Sequence, residues 1–157
     1  MNFSPETFPI IQGHEPVAAN ALADTSDWIK LTNADGVFMI VHHYSGGGDT
    51  DLVLTVHEGA TGSGTSALAT AFPIWVNTDT SASDALVRQA DAVTYSIDTG
   101  AGKDQIAVLY VPAAILTATY DWVQLGASGG NASNMVSVLY VLDRARYKQT
   151  TPPTAIA

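Results

Sequence analysis

Three histidines, His42, His43 and His57, come nearest to metal chemistry in this chain. Imidazole is a common ligand for transition metals, and strand-borne histidines that share one sheet face could hold such an ion. Their spacing argues against it. Neighbouring residues of a strand point to opposite faces, so His42 and His43 cannot line one pocket without a bulge. His57 beside Glu58 meets the same obstacle, and His14 lies in a proline-broken segment. Structural or surface histidines are the simpler reading. Asp49 and Asp51 follow Gly46-Gly-Gly48 and could place two carboxylates on one side of an extended segment. Calcium takes about six to eight oxygen ligands, so the pair reads as part of a solvated, flexible loop.

The segment Asp98-Thr-Gly-Ala-Gly-Lys-Asp104 has the look of a phosphate loop. That motif needs a Gly where Ile97 stands and a Ser or Thr where Asp104 stands. A strand-like run follows rather than a helix, so no helix amino terminus would face a phosphate. A hairpin turn is the expectation. The chain has no cysteine, which removes disulfides, thiolate metal sites and cysteine nucleophiles. Trp28, Trp75 and Trp122 stand in apolar strand-like stretches. Core or interface packing is their usual use, and a sugar-stacking platform would need them exposed on one face. The expectation is no enzyme, no cofactor and no metal.

The elements that carry these residues are strands. Residues 1 to 26 are interrupted by Pro5, Pro9, Gly13 and Pro16, with Phe3, Phe8, Ile10 and Ile11 as apolar anchors, and read as an extended arm. Within it, Val17 to Ala23 could form a short helical turn. Trp28 to Thr32, the turn sequence Asn33-Ala-Asp-Gly36 and Val37 to Tyr44 read as a hairpin in which Gly36 supplies the turn. Asp51 to Glu58 alternates clearly. Further strands are expected at 72–77, 84–89, 92–98, 105–111, 120–125 and 135–142. Eight or nine short antiparallel strands without a long helix indicate an all-β sandwich, jelly-roll-like in strand number. It would occupy residues 27–148 and leave 149–157 as a loose tail.

The final run, Asn134 to Asp143, is apolar on both alternating faces. Such a strand is covered on both sides, here by its own domain and by a neighbouring subunit. Arg144, Arg146 and Lys148, half of the six Lys and Arg residues, follow at once. They read as a solvated end or as a contact for an acidic partner. The 157 residues suit one domain. Only 13% are charged, against roughly 25% in ordinary soluble domains, which leans toward a surface that is partly covered in the working state. A formal net charge of −9 disfavours direct contact with nucleic acid. The amino terminus lacks the pattern of a secretory signal, and no run reaches the roughly 18 apolar residues of a membrane span. A soluble protein without membrane contact is expected.

The body from Trp28 to Tyr147 resembles small structural proteins of tailed bacteriophages. The resemblance rests on Phe72-Pro-Ile-Trp-Val-Asn-Thr-Asp79, Asp121-Trp-Val-Gln-Leu125, and Asn134 to Tyr147 with its terminal Ala145-Arg-Tyr147. It implies a virion protein of the capsid decoration, or cement, type, made in the host cytoplasm. Such a protein sits as a homotrimer outside the major capsid protein and braces the shell against packaged DNA. The implied contacts with capsid or subunit are Phe3, Phe8, Ile10 and Ile11 in the arm and Arg144, Arg146 and Lys148 after the last strand. The alternatives are another virion component, of the tail or of head completion, and a glycan-binding β-sandwich module.

Overall fold

A computed structural model describes residues 8–23, 26–64 and 66–144. Two antiparallel sheets pack face to face as an all-β sandwich. The first sheet holds six strands, named here β1 (Ile10–Ala18), β3 (Gly36–Tyr44), β6 (Ile74–Asn77), β7 (Val87–Arg88), β9 (Gln105–Pro112) and β11 (Met135–Asp143), in the order β1-β11-β3-β9-β6-β7. The second holds β2 (Ile29–Lys30), β10 (Trp122–Gly129), β4 (Leu52–Gly59) and β5 (Ser66–Ala67) in that order, and β8 (Thr94–Ile97) also pairs with β4. One turn of α-helix, α1 (Ala19–Leu22), follows β1.

The core follows from period-two alternation. In the six-stranded sheet, Tyr140, Met39, Leu109 and Ile74 lie in register across four strands and point inward, as do Val138, Val41, Ala107 and Val76. Leu52, Leu54 and Val56 of β4 and Val123 and Leu125 of β10 meet them from the other sheet. One polar network joins the layers through the core. Leu125 N–H donates to Tyr140 Oη at 3.1 Å, Tyr140 Oη lies 3.0 Å from Ser26 Oγ, and Ser26 Oγ donates to the Leu125 carbonyl. Burial pushes the Tyr140 phenol up to about 12, although both hydrogen bonds pull the other way. The hydroxyl therefore stays protonated and can donate.

Three sequence expectations change here. Residues 10–22 are not an arm: β1 pairs with β11 from Ile10↔Val141 to Ala18↔Met135, so the sandwich begins well before residue 27. The prolines that suggested an arm are compatible with an edge strand, and register shifts between Gln12 and His14 and between His14 and Val17 accommodate Gly13 and Pro16. The predicted hairpin at 28–44 does not form. β2 pairs with β10 in one sheet and β3 with β11 and β9 in the other, so Asn33 to Asp35 cross the sandwich. Gly36 serves close packing rather than the turn, because a Cβ there would lie 2.7 Å from the Val111 carbonyl oxygen. The turn at 99–102 likewise links β8 in one sheet to β9 in the other and closes no hairpin. The expected tail, 149–157, lies outside the described residues.

The glycine-rich loop after β3 is pinned. The fully buried Asn134 accepts from Gly46 N–H at 3.0 Å and Gly48 N–H at 3.1 Å, and donates to the Gly48 carbonyl at 3.1 Å. Any side chain at Gly46 would collide with the Ser133 carbonyl oxygen, 1.7 Å from its Cβ position.

Candidate functional site

The side chains left over from the core define the site. On the outer face of the six-stranded sheet, one row runs Gln12, Leu139, Ile40, Val108, Trp75, Arg88, and a second runs Ile10, Val141, Phe38, Tyr110. A third holds Ser137, His42, Ile106 and Asn77, and Met135 lies beside Tyr44. Ile10 is 54% exposed, Tyr44 53% and Leu139 43%. The Phe38 and Tyr110 rings lie 4.5 Å apart, and Arg88 caps Trp75 at 4.9 Å from the ring centroid. Between Gln12 and Arg88, and between Ile10 and Tyr110, these rows contain no Asp, Glu, Lys or Arg. A shallow cleft of about 160 Å³, lined by Pro16, His42, Tyr44, Met135, Val136 and Ser137, opens on the same face.

Charge gathers at one end of this face. Tyr110 Oη donates to Asp143 Oδ2 at 2.7 Å; burial, then that bond, pushes the phenol up to about 12. Leu142 N–H donates to the Pro9 carbonyl at 3.0 Å, which holds the first residues of the sheet beside the last. The antiparallel pairing thus brings Ile10 and the preceding Phe8 to the same corner as Arg144, which sequence places at the opposite end of the chain. Arg144 is exposed, with Nε 3.9 Å from Asp143 Oδ1. Ile11 departs from the expected contacts: it turns inward, is 9% exposed, and belongs to the core. Phe3, Arg146 and Lys148 lie outside the described residues.

The residues considered for chemistry are dispersed. His42 points outward from β3, His43 inward, and His57 stands in the other sheet. His43 is fully buried between Val136 and Gln105, and neither ring nitrogen has a hydrogen-bond partner among the described residues. Burial lowers its pKa, Asp104 acts in the opposite sense, and His42 lowers it further. Asp51 is spent on the Thr99 N–H at 3.1 Å. Among the described residues, no three His, Asp or Glu side chains are grouped to hold a metal ion. Trp75 belongs to one sheet, whereas Trp122 and the nearby Trp28 flank the other, so the three tryptophans form no common platform.

Sequence reasoning found no Gly-x-Ser-x-Gly elbow and weighed Glu58 only as a neighbour of His57. Gly126-Ala-Ser-Gly-Gly130 nevertheless has the Gly-x-Ser-x-Gly spacing of a hydrolase nucleophile elbow. That motif needs a strand-to-helix turn, whereas Ser128 lies within β10, opposite Val53 of β4, and the next element is β11. Glu58 is buried and binds Thr117 twice, accepting from its N–H at 2.8 Å and its hydroxyl at 2.6 Å. Its inward place in an alternating strand gave no signal beyond an isolated acidic residue. Both features are structural.

A second cleft, of about 260 Å³, borders Asn77, Asp79, Ser83 and Gln89. Its polar groups are already engaged: Asn77 donates to the Ser83 carbonyl at 2.5 Å, and Asp79 pairs with Lys103 at 2.9 Å. Fold and surface together define an all-β sandwich with one apolar, largely uncharged outer face. Comparison with protein-family models, with curated proteins and with solved structures finds no match to this chain.

Proposed function

We propose that this chain is a structural module that works by burying surface, and specifically a decoration protein on the outside of a tailed-bacteriophage capsid. The observation that carries the reading is the corner where Phe8, Ile10 and Arg144 converge at the end of the apolar sheet face. Apolar side chains beside an exposed guanidinium suit a contact with an acidic or mixed protein surface. The choice of the major capsid protein as partner rests on the resemblance in the strand sequences. A standard stable interface buries about 1,600 Å² in total. Repetition over a shell turns modest single contacts into a large collective brace against internal pressure.

The test is quantitative mass spectrometry of gradient-purified particles whose genome carries this coding sequence. A copy number approaching that of the major capsid protein, on DNA-filled heads, is the expected result. Absence from the particle overturns the reading, and a few copies per particle would point to a tail or head-completion role instead. Within the expected outcome, Arg144→Glu and removal of residues 1–9 should each lower occupancy while circular dichroism stays that of the sandwich.

A further inference from the structure

We infer that the outer face of the six-stranded sheet binds a second copy of this chain, sheet against sheet about a two-fold axis. The inference rests on the reading above of the chain as a surface-burying module and names the partner for the middle of that face. The five strands from β1 to β6 are separated by four spacings, roughly 19 Å, and the rows from Ile10 to Met135 extend roughly 20 Å along the strands. The resulting face is of the order of 400 Å² in projection, and more in accessible area because the side chains stand above the sheet. Soluble monomers rarely expose apolar patches larger than a few hundred Å². Such a footprint sits at the small end of specific interfaces, below the ~800 Å² per partner of a standard one.

Charge selects the occupant. Two chains of net charge −9 repel over most of their surfaces. They can approach most easily through a region poor in carboxylates, and the rows from Leu139 to Trp75 and from Ile10 to Tyr110 are such a region, with Asp143 at one end. The face is self-complementary in chemistry, with Phe38, Tyr110, Trp75 and Tyr44 among aliphatic side chains, as a two-fold contact requires. Two sheets can pack in this way at about 10 Å, side chains interleaved, just as the two sheets within the chain do. The edges offer less. β7 and β2 have two residues each, and β1 carries register shifts and Pro16, features that discourage edge-to-edge pairing. A single continuous patch gives a two-fold dimer, whereas a threefold ring would need two different patches. The inferred dimer departs from the homotrimer that the phage resemblance implies.

The experiment is light scattering after size exclusion on the full chain, with three variants checked for fold by circular dichroism. The wild type is expected at about 33 kDa, twice 16.4 kDa. Leu139→Glu, and independently Tyr44→Glu, should run as folded monomers. Thr55→Glu, on the outside of the other sheet, should remain dimeric. A monomeric or trimeric wild type overturns the inference, as does a dimer indifferent to both face variants. A monomer that dimerises only after removal of residues 145–157 overturns it in favour of the chain's own tail as occupant. Failure here is separable from failure of the decoration reading: a monomer found on particles sinks only the dimer, and a dimer absent from particles sinks only the capsid role.

Discussion

The two sheets present opposite surfaces to their surroundings. Outside the five-stranded sheet, Thr55 lies level with Thr94 and Gly126, and Val53 with Ser96 and Ser128. Outside the six-stranded sheet, the corresponding positions are Leu139, Ile40, Val108 and Trp75. Inward, both sheets are mostly apolar. Strand alternation alone would leave polar residues on both outsides, as in a sandwich that works alone in water. One sheet follows that rule and the other breaks it. Folding requires only the inner layers, so the apolar outer face of the larger sheet is surplus to the fold; on the reading proposed above it serves assembly.

The sharpest way to break this contrast is to cut each layer of the larger sheet separately. Leu109→Ala, in the inner layer, should cost about 2–5 kcal/mol in urea unfolding, whereas Leu139→Ala, measured on the monomer, should cost under about 1 kcal/mol. Equal costs would mean that the outer row is core. Next in size is Tyr140→Phe, expected to lose about 1–3 kcal/mol because the buried Leu125 N–H is left without its acceptor. A loss near zero would show that the inter-sheet network is dispensable.

Salt sharpens the contrast further. An uncharged contact between two acidic chains should tighten by about two- to tenfold as added salt screens their repulsion, read by sedimentation at low and at ~0.5 M salt. Weakening would reveal charge pairs in the contact. A subtler effect concerns His43. Burial holds its imidazole below the ordinary 6.5, so the unfolded chain takes up a proton first as pH falls. Its contribution to stability is whole above 6.5 and declines as pH drops through the folded value. The denaturation midpoint should therefore fall from pH 7.5 to 5.5, and His43→Leu should flatten that slope.

The smallest effect belongs to the rim. The hydrogen bond from Ser81, followed by that from Lys103, pulls the Asp79 carboxyl down to about 2. NMR titration should find that midpoint, and Ser81→Ala and Lys103→Ala should each raise it. The stabilisation of a depressed carboxylate is present above its unfolded value of 3.8 and fades toward 2. Asp79 lies near the surface and is only partly buried, so its effect on unfolding should be slight. An unmoved midpoint in both variants would remove the proposed cause.

Sequence makes the sandwich legible because alternation is local: Leu52, Leu54 and Val56 declare their inner face without reference to any partner. It also marks β11 as apolar on both sides, and the structure assigns one side, Val136 to Leu142, to the core. Which strands become neighbours is not local. Asn33 to Gly36 has hairpin chemistry, yet it carries the chain between layers, since a turn sequence does not specify which sheet receives the next strand. The same limit hid the strand in the supposed arm, because β1 forms only against a partner more than a hundred residues away. Ile11 could not be separated from Ile10 until a register existed to give each a side. The corner that joins Ile10 to Arg144 was invisible for the same reason.

That pairing of β1 with β11 also has a consequence for synthesis. The strand that covers β1 is complete only at Asp143, 125 residues after β1 ends at Ala18. At roughly 5–20 residues per second, the ribosome holds the chain for about six to twenty-five seconds with β1 unmatched and the inner side of β3 incompletely covered. This domain closes only after Asp143 has been made. A nascent chain stalled before Met135 should therefore stay protease-sensitive throughout, with little folded intermediate to protect it.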